Sequence, residues 1–161
     1  MLTKTTETGI AALIYLALQK NPAPVSPRRI AVTLEVSPTY LAKISHMLVK
    51  AGILRSHRGA LGGVSLGRAP EEITLLEIVA ACQGQVLGSY CRDLEVLEGV
   101  CAFHRAMKEI HDSTVKILSR WSLAALIARP GPLSPEAEKT CKMRVVSRKL
   151  KIEAATPGSS K

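Results

Sequence analysis

The fold is decided by residues 25–66, VSPRRIAVTLEVSPTYLAKISHMLVKAGILRSHRGALGGVSL. This stretch contains two Ser-Pro pairs, at 26–27 and at 37–38. The serine of each pair can accept hydrogen bonds from the free N–H groups at a helix start, and proline suits the first helical turn. The pairs therefore predict two short helices in succession, and Gly52 predicts the end of the second one.

The second of these helices has two contrasting faces. Leu41, Ile44 and Leu48 follow the spacing i, i+3, i+7 and are predicted to point inward. The opposite face carries Thr39, Lys43, His46 and Lys50. A short, polar and cationic face on the second of two closely joined helices suits the major groove of DNA.

A small basic hairpin is predicted to follow. Residues 53–57 and 64–66 are expected to form two strands around a glycine-rich turn that carries Arg58. The order helix, turn, helix, hairpin is typical of a winged helix-turn-helix. The predicted fold class is therefore mostly α with a small β-hairpin wing, completed by a long dimerisation helix.

Composition agrees with a DNA-binding protein. The chain has 161 residues, 47% of them hydrophobic, which suffices for a domain with a real core. Its net charge of +9 is uneven, with +5 in residues 1–75, −1 in residues 76–128 and +5 in residues 129–161. A basic first half that contains a helix-turn-helix pattern favours contact with phosphates. The alternative is a soluble protein with a basic tail.

The rest of the chain is predicted to be helical. The first helix is expected from about Leu2 to Lys20, and the capping box at Thr74 predicts a short helix with Cys82 in the core. A long helix is expected from near Val100 to Ala128. The predicted regions are a winged helix-turn-helix (1–70), a connecting helix and candidate cluster loop (71–100), a dimerisation helix (101–128) and a basic, flexible tail with one helical stretch (129–161).

The long helix is predicted to carry a packing seam. Its members alternate spacings of four and three residues: Phe103, Met107, Ile110, Thr114, Ile117, Trp121, Ala124 and Ala128. In so short a chain, the natural partner is the same helix of a second copy. The seam therefore predicts a homodimer whose two reading helices meet two half-sites of a palindrome, with packing inside one chain as the alternative.

The start of this helix holds a candidate metal site. Cys101 and His104 lie at i, i+3 on one turn, and Cys91 precedes them by ten residues. No export signal is convincing, so the cysteines are predicted to be free thiols or metal ligands in a cytoplasmic protein. Sulfur-rich ligands favour zinc or an iron–sulfur cluster. The alternative is that Cys101 and His104 are only packing and surface residues.

Several segments resemble the Rrf2 family of winged helix-turn-helix regulators, over about residues 1–127. They are LTK at 2–4, SPTYL at 37–41, LVKAGIL at 48–54, RGALGGVSL at 58–66, ITLLEI at 73–78 and SRWSLA at 119–124. The resemblance implies a dimeric, sequence-specific repressor of double-stranded DNA that senses redox state, iron or nitric oxide. The residues expected at DNA are Ser37, Thr39, Tyr40, Lys43, Arg58, Gly59, Arg28 and Lys4.

The resemblance also implies an iron–sulfur cluster. Cys91 and Cys101 match the first and last cysteines of the cluster-binding members, and His104 matches a ligand of IscR-like members. Glu7 falls where NsrR-like members carry an acidic residue that ligates the partner chain's cluster. The middle cysteine of the pattern is missing from residues 92–100, which leaves open a two-iron cluster, a four-iron cluster or none.

One alternative keeps the fold without the metal. A regulator of this kind would respond to a small molecule or to a partner protein. An enzyme is not expected, because the sequence contains no Ser/His/Asp set, no phosphate-binding loop and no carboxylate pair in an obvious cleft. No apolar run reaches the length of a membrane span, so no membrane partner is expected.

Overall fold

The architecture is taken from a computed structural model, which describes residues 2–19, 23–59, 62–84, 101–132, 134–141 and 143. In chain order its elements are α1 (Lys4–Ala17), α2 (Pro27–Leu34), α3 (Pro38–Lys50), β1 (Leu54–His57), β2 (Gly63–Leu66), a 3-10 turn (Pro70–Glu72), α4 (Leu75–Gln83), α5 (Ala102–Arg120), α6 (Leu123–Ile127) and α7 (Pro135–Thr140). Within the described ranges, none of the helices combines the length and the apolar character that crossing a lipid bilayer requires.

Both helix starts of the helix-turn-helix are confirmed. Ser26 Oγ accepts a hydrogen bond from the Arg29 N–H at 3.3 Å, and Ser37 Oγ accepts one from the Tyr40 N–H at 3.2 Å. Each serine thereby satisfies one of the N–H groups that a helix start leaves unpaired. Between the helices, Glu35 ends α2 in the left-handed region, at φ 57°. The left-handed conformation ends α2 and begins the turn that leads to the Ser37 cap of α3.

The wing is an antiparallel hairpin with a short additional partner. Leu54 pairs with Leu66 at one end of the ladder and His57 pairs with Gly63 at the other. Val25 exchanges two backbone hydrogen bonds of 2.9 Å with Val64, which ties the hairpin to the segment before α2. A Cβ atom on Gly63 would lie 2.5 Å from the Val25 carbonyl, so only glycine permits this approach.

The core is formed where α1, α3 and α4 meet the root of the wing. Its fully buried large side chains include Leu13, Ile30, Leu41, Ile44, Leu48, Ile53, Ile73 and Ile78. Cys82 is only 6% exposed and belongs to this core, as its place on the apolar side of α4 predicts. Gly9 lets α1 approach closely, because a Cβ atom there would lie 2.8 Å from Cys82 Sγ.

This close approach gives a stability prediction whose sign depends on Cys82. In the wild-type background we expect Gly9→Ala to lower the free energy of unfolding by about 1 kcal/mol, since overpacking outweighs the helix propensity of alanine. In a Cys82→Ala background the clashing sulfur is gone, and the same change should raise the free energy of unfolding by up to about 1 kcal/mol. Urea denaturation of the four variants measures both effects. Equal effects in the two backgrounds would contradict the proposed contact.

Two predicted helix extents are wrong. The first helix covers Lys4–Ala17 and is shorter than expected. The long helix ends at Arg120, because Trp121 is extended (φ −93°, ψ 119°) and a separate helix, α6, starts after the cap residue Ser122. The cause is a tertiary contact between two distant segments.

That contact is a short antiparallel pairing between residues 73–75 and 121–123. The Leu75 N–H donates to the Trp121 carbonyl, and the Leu123 N–H donates to the Ile73 carbonyl, each at 2.7 Å. The pairing fixes the end of α5 against the start of α4. It also removes Ala124 and Ala128 from the predicted seam, which now ends at Trp121.

The start of α4 is held by an ion pair as well. Arg68, just after the wing, lies 2.8 Å from a Glu77 carboxylate oxygen, and the predicted capping box between Thr74 and Glu77 is present. Partial burial alone would raise the pKa of Glu77, but the hydrogen bonds from Thr74 and Arg68 hold that pKa below its ordinary value. The start of α4 therefore contacts both the segment after the wing, through Arg68, and the segment after α5, through Trp121.

Candidate functional site

The two faces of α3 are confirmed. Leu41, Ile44 and Leu48 are completely buried, whereas the opposite face is exposed along its whole length. The exposed positions are Thr39, Lys43, His46 and Lys50. The buried apolar side of α3 packs against the core and fixes the position of the helix. The polar side of α3 therefore faces solvent in a defined orientation.

The surface formed by α3 and the wing has a single sign of charge. Residues 36–70 contain five Lys or Arg residues and no Asp or Glu. Lys43, Lys50, Arg55 and Arg58 are all exposed, and none of them forms an ion pair within the described part of the chain. We call this set the basic surface. Exposed cations without acidic partners create the positive potential that attracts a polyanion such as DNA.

Arg55 belongs to this surface although the sequence analysis did not single it out. The residue lies on β1, in which Leu54 is buried and the three following positions are exposed. Arg55 and His57 share one face of the hairpin, where His57 Nε2 lies 2.8 Å from Ser65 Oγ. Because successive strand residues point to opposite faces, the position of Arg55 directly after the apolar Leu54 is the signal that could have indicated it.

Two of the predicted DNA contacts have structural partners inside the protein. Ser37 Oγ caps α3, and the half-buried Tyr40 donates its phenolic O–H to Thr5 Oγ1 at 3.1 Å. Ser37 can still donate its hydroxyl proton outward, and the Tyr40 oxygen can still accept. Thr39 and Lys43, in contrast, are exposed at the start of α3 without such a structural role.

Arg58 and Gly59 extend the wing into solvent. Both are exposed, and Gly59 adopts φ 105°, a conformation that side chains rarely permit. The Gly62 N–H donates to the Gly59 carbonyl at 2.9 Å and closes the turn. Residues 60 and 61 lie outside the described residues.

The remaining predicted DNA contacts lie at helix starts. Lys4 is the first residue of α1, and Arg28 lies in the first turn of α2, next to a further cation, Arg29. All three are exposed. Cations at these positions suit contacts with phosphates, which position a protein on DNA without reading its sequence.

The candidate metal ligands are brought together only in part. Cys101 Sγ lies 3.1 Å from His104 Nδ1 at the exposed start of α5. Glu7 is half-buried in the first turn of α1, and Cys91 lies outside the described residues. In the described ranges, no group of three or more His, Cys, Asp or Glu side chains is placed to hold a metal ion.

The Cys101–His104 pair is nevertheless suited to bind a metal. His104, through its backbone N–H and then its ring, lowers the pKa of the Cys101 thiol below the ordinary value. The helix start acts in the same direction, because it favours negative charge. Burial instead raises the pKa of Cys82 to about 11. Since metals bind the thiolate form, Cys101 is the ligand-competent cysteine of the two.

The pKa difference predicts how the two thiols react. In chelator-treated protein at neutral pH, iodoacetamide should alkylate Cys101 much faster than Cys82. Because a lowered pKa keeps the thiolate populated down to a lower pH, His104→Ala should slow alkylation of Cys101 near neutral pH and change it little in strong base. Peptide mass spectrometry measures the rates, and His111→Ala on the same helix is the control. Because His104→Ala keeps the backbone N–H of residue 104, an unchanged rate in that variant would contradict the contribution of the His104 ring.

The predicted seam on α5 is exposed in the isolated chain. Its apolar members have high exposed fractions: Phe103 61%, Ile110 51%, Ile117 52% and Trp121 43%. Leu118, in contrast, faces the rest of the chain and is buried. A row of large apolar side chains this long is rarely left in water by a soluble protein, and it indicates a surface that another molecule covers.

The sequence and the fold are similar to those of known proteins. A family model described as "Rrf2: Iron-dependent Transcriptional regulator" matches residues 2–129. The regulator NsrR of Halalkalibacterium halodurans is 27% identical over 136 residues, which cover 82% of this chain and 93% of that protein. Among solved structures, CymR, the global cysteine regulator of B. subtilis, gives a TM-score of 0.64 at 29% identity, covering 80% of this chain and 96% of its own. The structure of IscR from T. potens gives a TM-score of 0.64 at 26% identity, and the match covers 80% of this chain and 86% of that chain.

Proposed function

Since the chain belongs to the Rrf2 family and is a DNA-binding transcription regulator, we propose that it acts as a dimeric repressor that reads DNA with α3. The observation that carries this proposal is the basic surface, in which residues 36–70 contain no acidic side chain while the polar face of α3 is fully exposed. A cationic helix face mounted on a buried apolar face is what entry into a major groove requires.

The roles of the residues follow from their positions. Thr39 and Lys43 contact base edges, because they lie on the exposed face near the start of α3. Ser37 and Tyr40 contact the adjoining phosphates, and Lys4 and Arg28 hold the backbone farther along. Further contacts come from the wing, where Arg58 enters or flanks the neighbouring minor groove and Gly59 lets the backbone approach DNA closely.

The dimer is proposed to form through α5. The exposed apolar side chains Phe103, Ile110 and Ile117 lie on α5 with a spacing that suits packing along a second helix, and Trp121 directly follows the end of α5. A twofold dimer would present two copies of α3 to two half-sites, and two weak contacts would then combine into tight binding.

Selection of duplexes tests the DNA-reading proposal. Full-length protein should enrich a palindromic sequence from a pool of random duplexes, and its affinity should fall steeply as salt is raised. Recovery of a pool with no common sequence, together with equal binding to all fragments, would contradict a sequence-specific regulator.

We also propose that an iron–sulfur cluster is the sensing group. Its ligands would be Cys91, Cys101 and His104, with Glu7 of the second subunit as the fourth. The fit of Cys101 to this role rests on the 3.1 Å approach to His104 and on the lowered thiol pKa. When bound, the cluster would supply a group whose oxidation state or integrity depends on redox state, iron or nitric oxide, in keeping with the iron-dependent description of the family.

Metal and sulfide analysis of anaerobically prepared protein tests the cluster. Wild-type protein should contain iron and acid-labile sulfide, Cys101→Ala should lose both, and Cys82→Ala should retain them because Cys82 is buried in the core. Wild-type protein free of iron and sulfide would contradict the cluster. That outcome would favour the alternative regulator that responds to a small molecule or to a partner protein.

A further inference from the structure

Gln83, the last residue of α4, holds the first turn of α1. Its Oε1 accepts one hydrogen bond from the Thr3 N–H at 3.1 Å and another from Thr6 Oγ1 at 2.9 Å. Thr3 also caps α1 by accepting the Thr6 N–H at 3.3 Å, and Thr6 is completely buried. The start of α1 is therefore fixed by a side chain 80 positions away in sequence, in addition to its own cap.

The same turn of α1 also contacts the helix proposed to read DNA. Thr5 Oγ1 accepts the phenolic O–H of Tyr40 at 3.1 Å. Tyr40 lies in the first turn of α3, and its N–H donates to the cap residue Ser37. The first turn of α1 thus lies between the end of α4 on one side and the start of α3 on the other.

The first turn of α1 connects the end of α4, which precedes the proposed cluster ligand Cys91 in the chain, with the helix α3 that is proposed to read DNA. Gln83 and Gly84 come directly before residues 85–100, which include Cys91, and the first turn of α1 carries Lys4 and Glu7. A shift of the α4 end would alter the position of α1, and through Tyr40 the position of α3. A chain of hydrogen-bonded and packed side chains of this kind can carry coupling between two sites.

We propose that Gln83 is a positioning residue for α3, acting through the first turn of α1 and the Thr5–Tyr40 hydrogen bond. The assignment of α3 as the DNA reader rests on the proposed function, but the mechanical link does not. The required atom is an acceptor oxygen, because both bonds to Gln83 end on Oε1. Loss of that oxygen would leave the Thr3 N–H and the buried Thr6 hydroxyl without this partner.

Amide hydrogen exchange on the full chain without DNA tests the link. Gln83→Met removes the acceptor at similar size and should speed exchange roughly fivefold, both at the start of α1 and at residues 40 and 41 in α3. Gln83→Glu keeps an acceptor and should restore wild-type rates. Gln19→Met is the control, since the Gln19 side chain lies just beyond the end of α1 and donates to the Tyr15 carbonyl rather than to the first turn. Faster exchange confined to α1 would overturn the proposal.

A double-mutant cycle on duplex binding provides the second test. Gln83→Met should raise the Kd for the selected duplex roughly fivefold, and in a Tyr40→Phe background it should raise the Kd less than about twofold. If Gln83→Met raises the Kd by the same factor in the wild-type and Tyr40→Phe backgrounds, the two residues act independently and the link through Tyr40 is overturned. If wild-type protein prefers no duplex, the proposed function fails, while the exchange result still decides the role of Gln83.

Discussion

Replacing Ile117 by Asp is expected to convert the protein into a monomer and to weaken binding to its palindromic duplex by about a hundredfold or more. Ile117 is 52% exposed in the middle of the apolar row on α5, between Ile110 and Trp121. A carboxylate buried there without a partner would oppose packing against a second helix. Loss of the dimer removes the avidity of two linked contacts, which typically accounts for about 10²–10⁴ in affinity.

Light scattering and duplex titration measure the two effects of Ile117→Asp. Ser119→Asp is a matched control, because it adds the same charge to an exposed position of α5 on the side away from the seam. That control should remain dimeric and bind DNA as wild type does. An Ile117→Asp protein that is still dimeric and still binds the duplex would show that the seam is not the dimer interface.

Arg58→Ala is expected to weaken operator binding by about 1–3 kcal/mol, or roughly 5- to 150-fold. The side chain lies at the exposed end of β1, beside Gly59 with its positive φ, and has no ion-pair partner in the described part of the chain. In a narrow minor groove a guanidinium gains from the concentrated negative potential.

Equilibrium titration at physiological salt measures this loss. Arg129→Ala is the control, because Arg129 is also exposed but follows α6 in the chain and does not belong to the basic surface. Its removal should change the affinity by less than about twofold. Operator binding by Arg58→Ala equal to that of wild type would refute the assignment of Arg58 to DNA.

Features that depend on neighbouring residues were predictable from the sequence. The Ser26 and Ser37 caps and the two faces of α3 follow from spacing within a few residues, and the structure confirms them. The approach of Cys101 to His104 is of the same kind, since i, i+3 positions share one helical turn.

Features that depend on distant segments were not predictable. The break at Trp121 arises because residues 121–123 pair with residues 73–75, and nothing in the local sequence indicates that pairing. The hydrogen bond between Tyr40 and Thr5 joins positions 35 residues apart, and it changes the role of a residue that the pattern assigned only to DNA. Tertiary contacts of this kind override local preference without leaving a periodic signal.

The specificity ratio of a Thr39→Ala, Lys43→Ala double variant tests most directly whether the polar face of α3 reads bases. The quantity is the affinity for the selected duplex divided by that for a scrambled duplex of equal length, at one salt concentration. If these side chains contact base edges, the ratio should fall by about tenfold or more. If the affinities for both duplexes fall by the same factor, leaving the ratio unchanged, the two residues contact only phosphates and the account of α3 as the reading helix is contradicted.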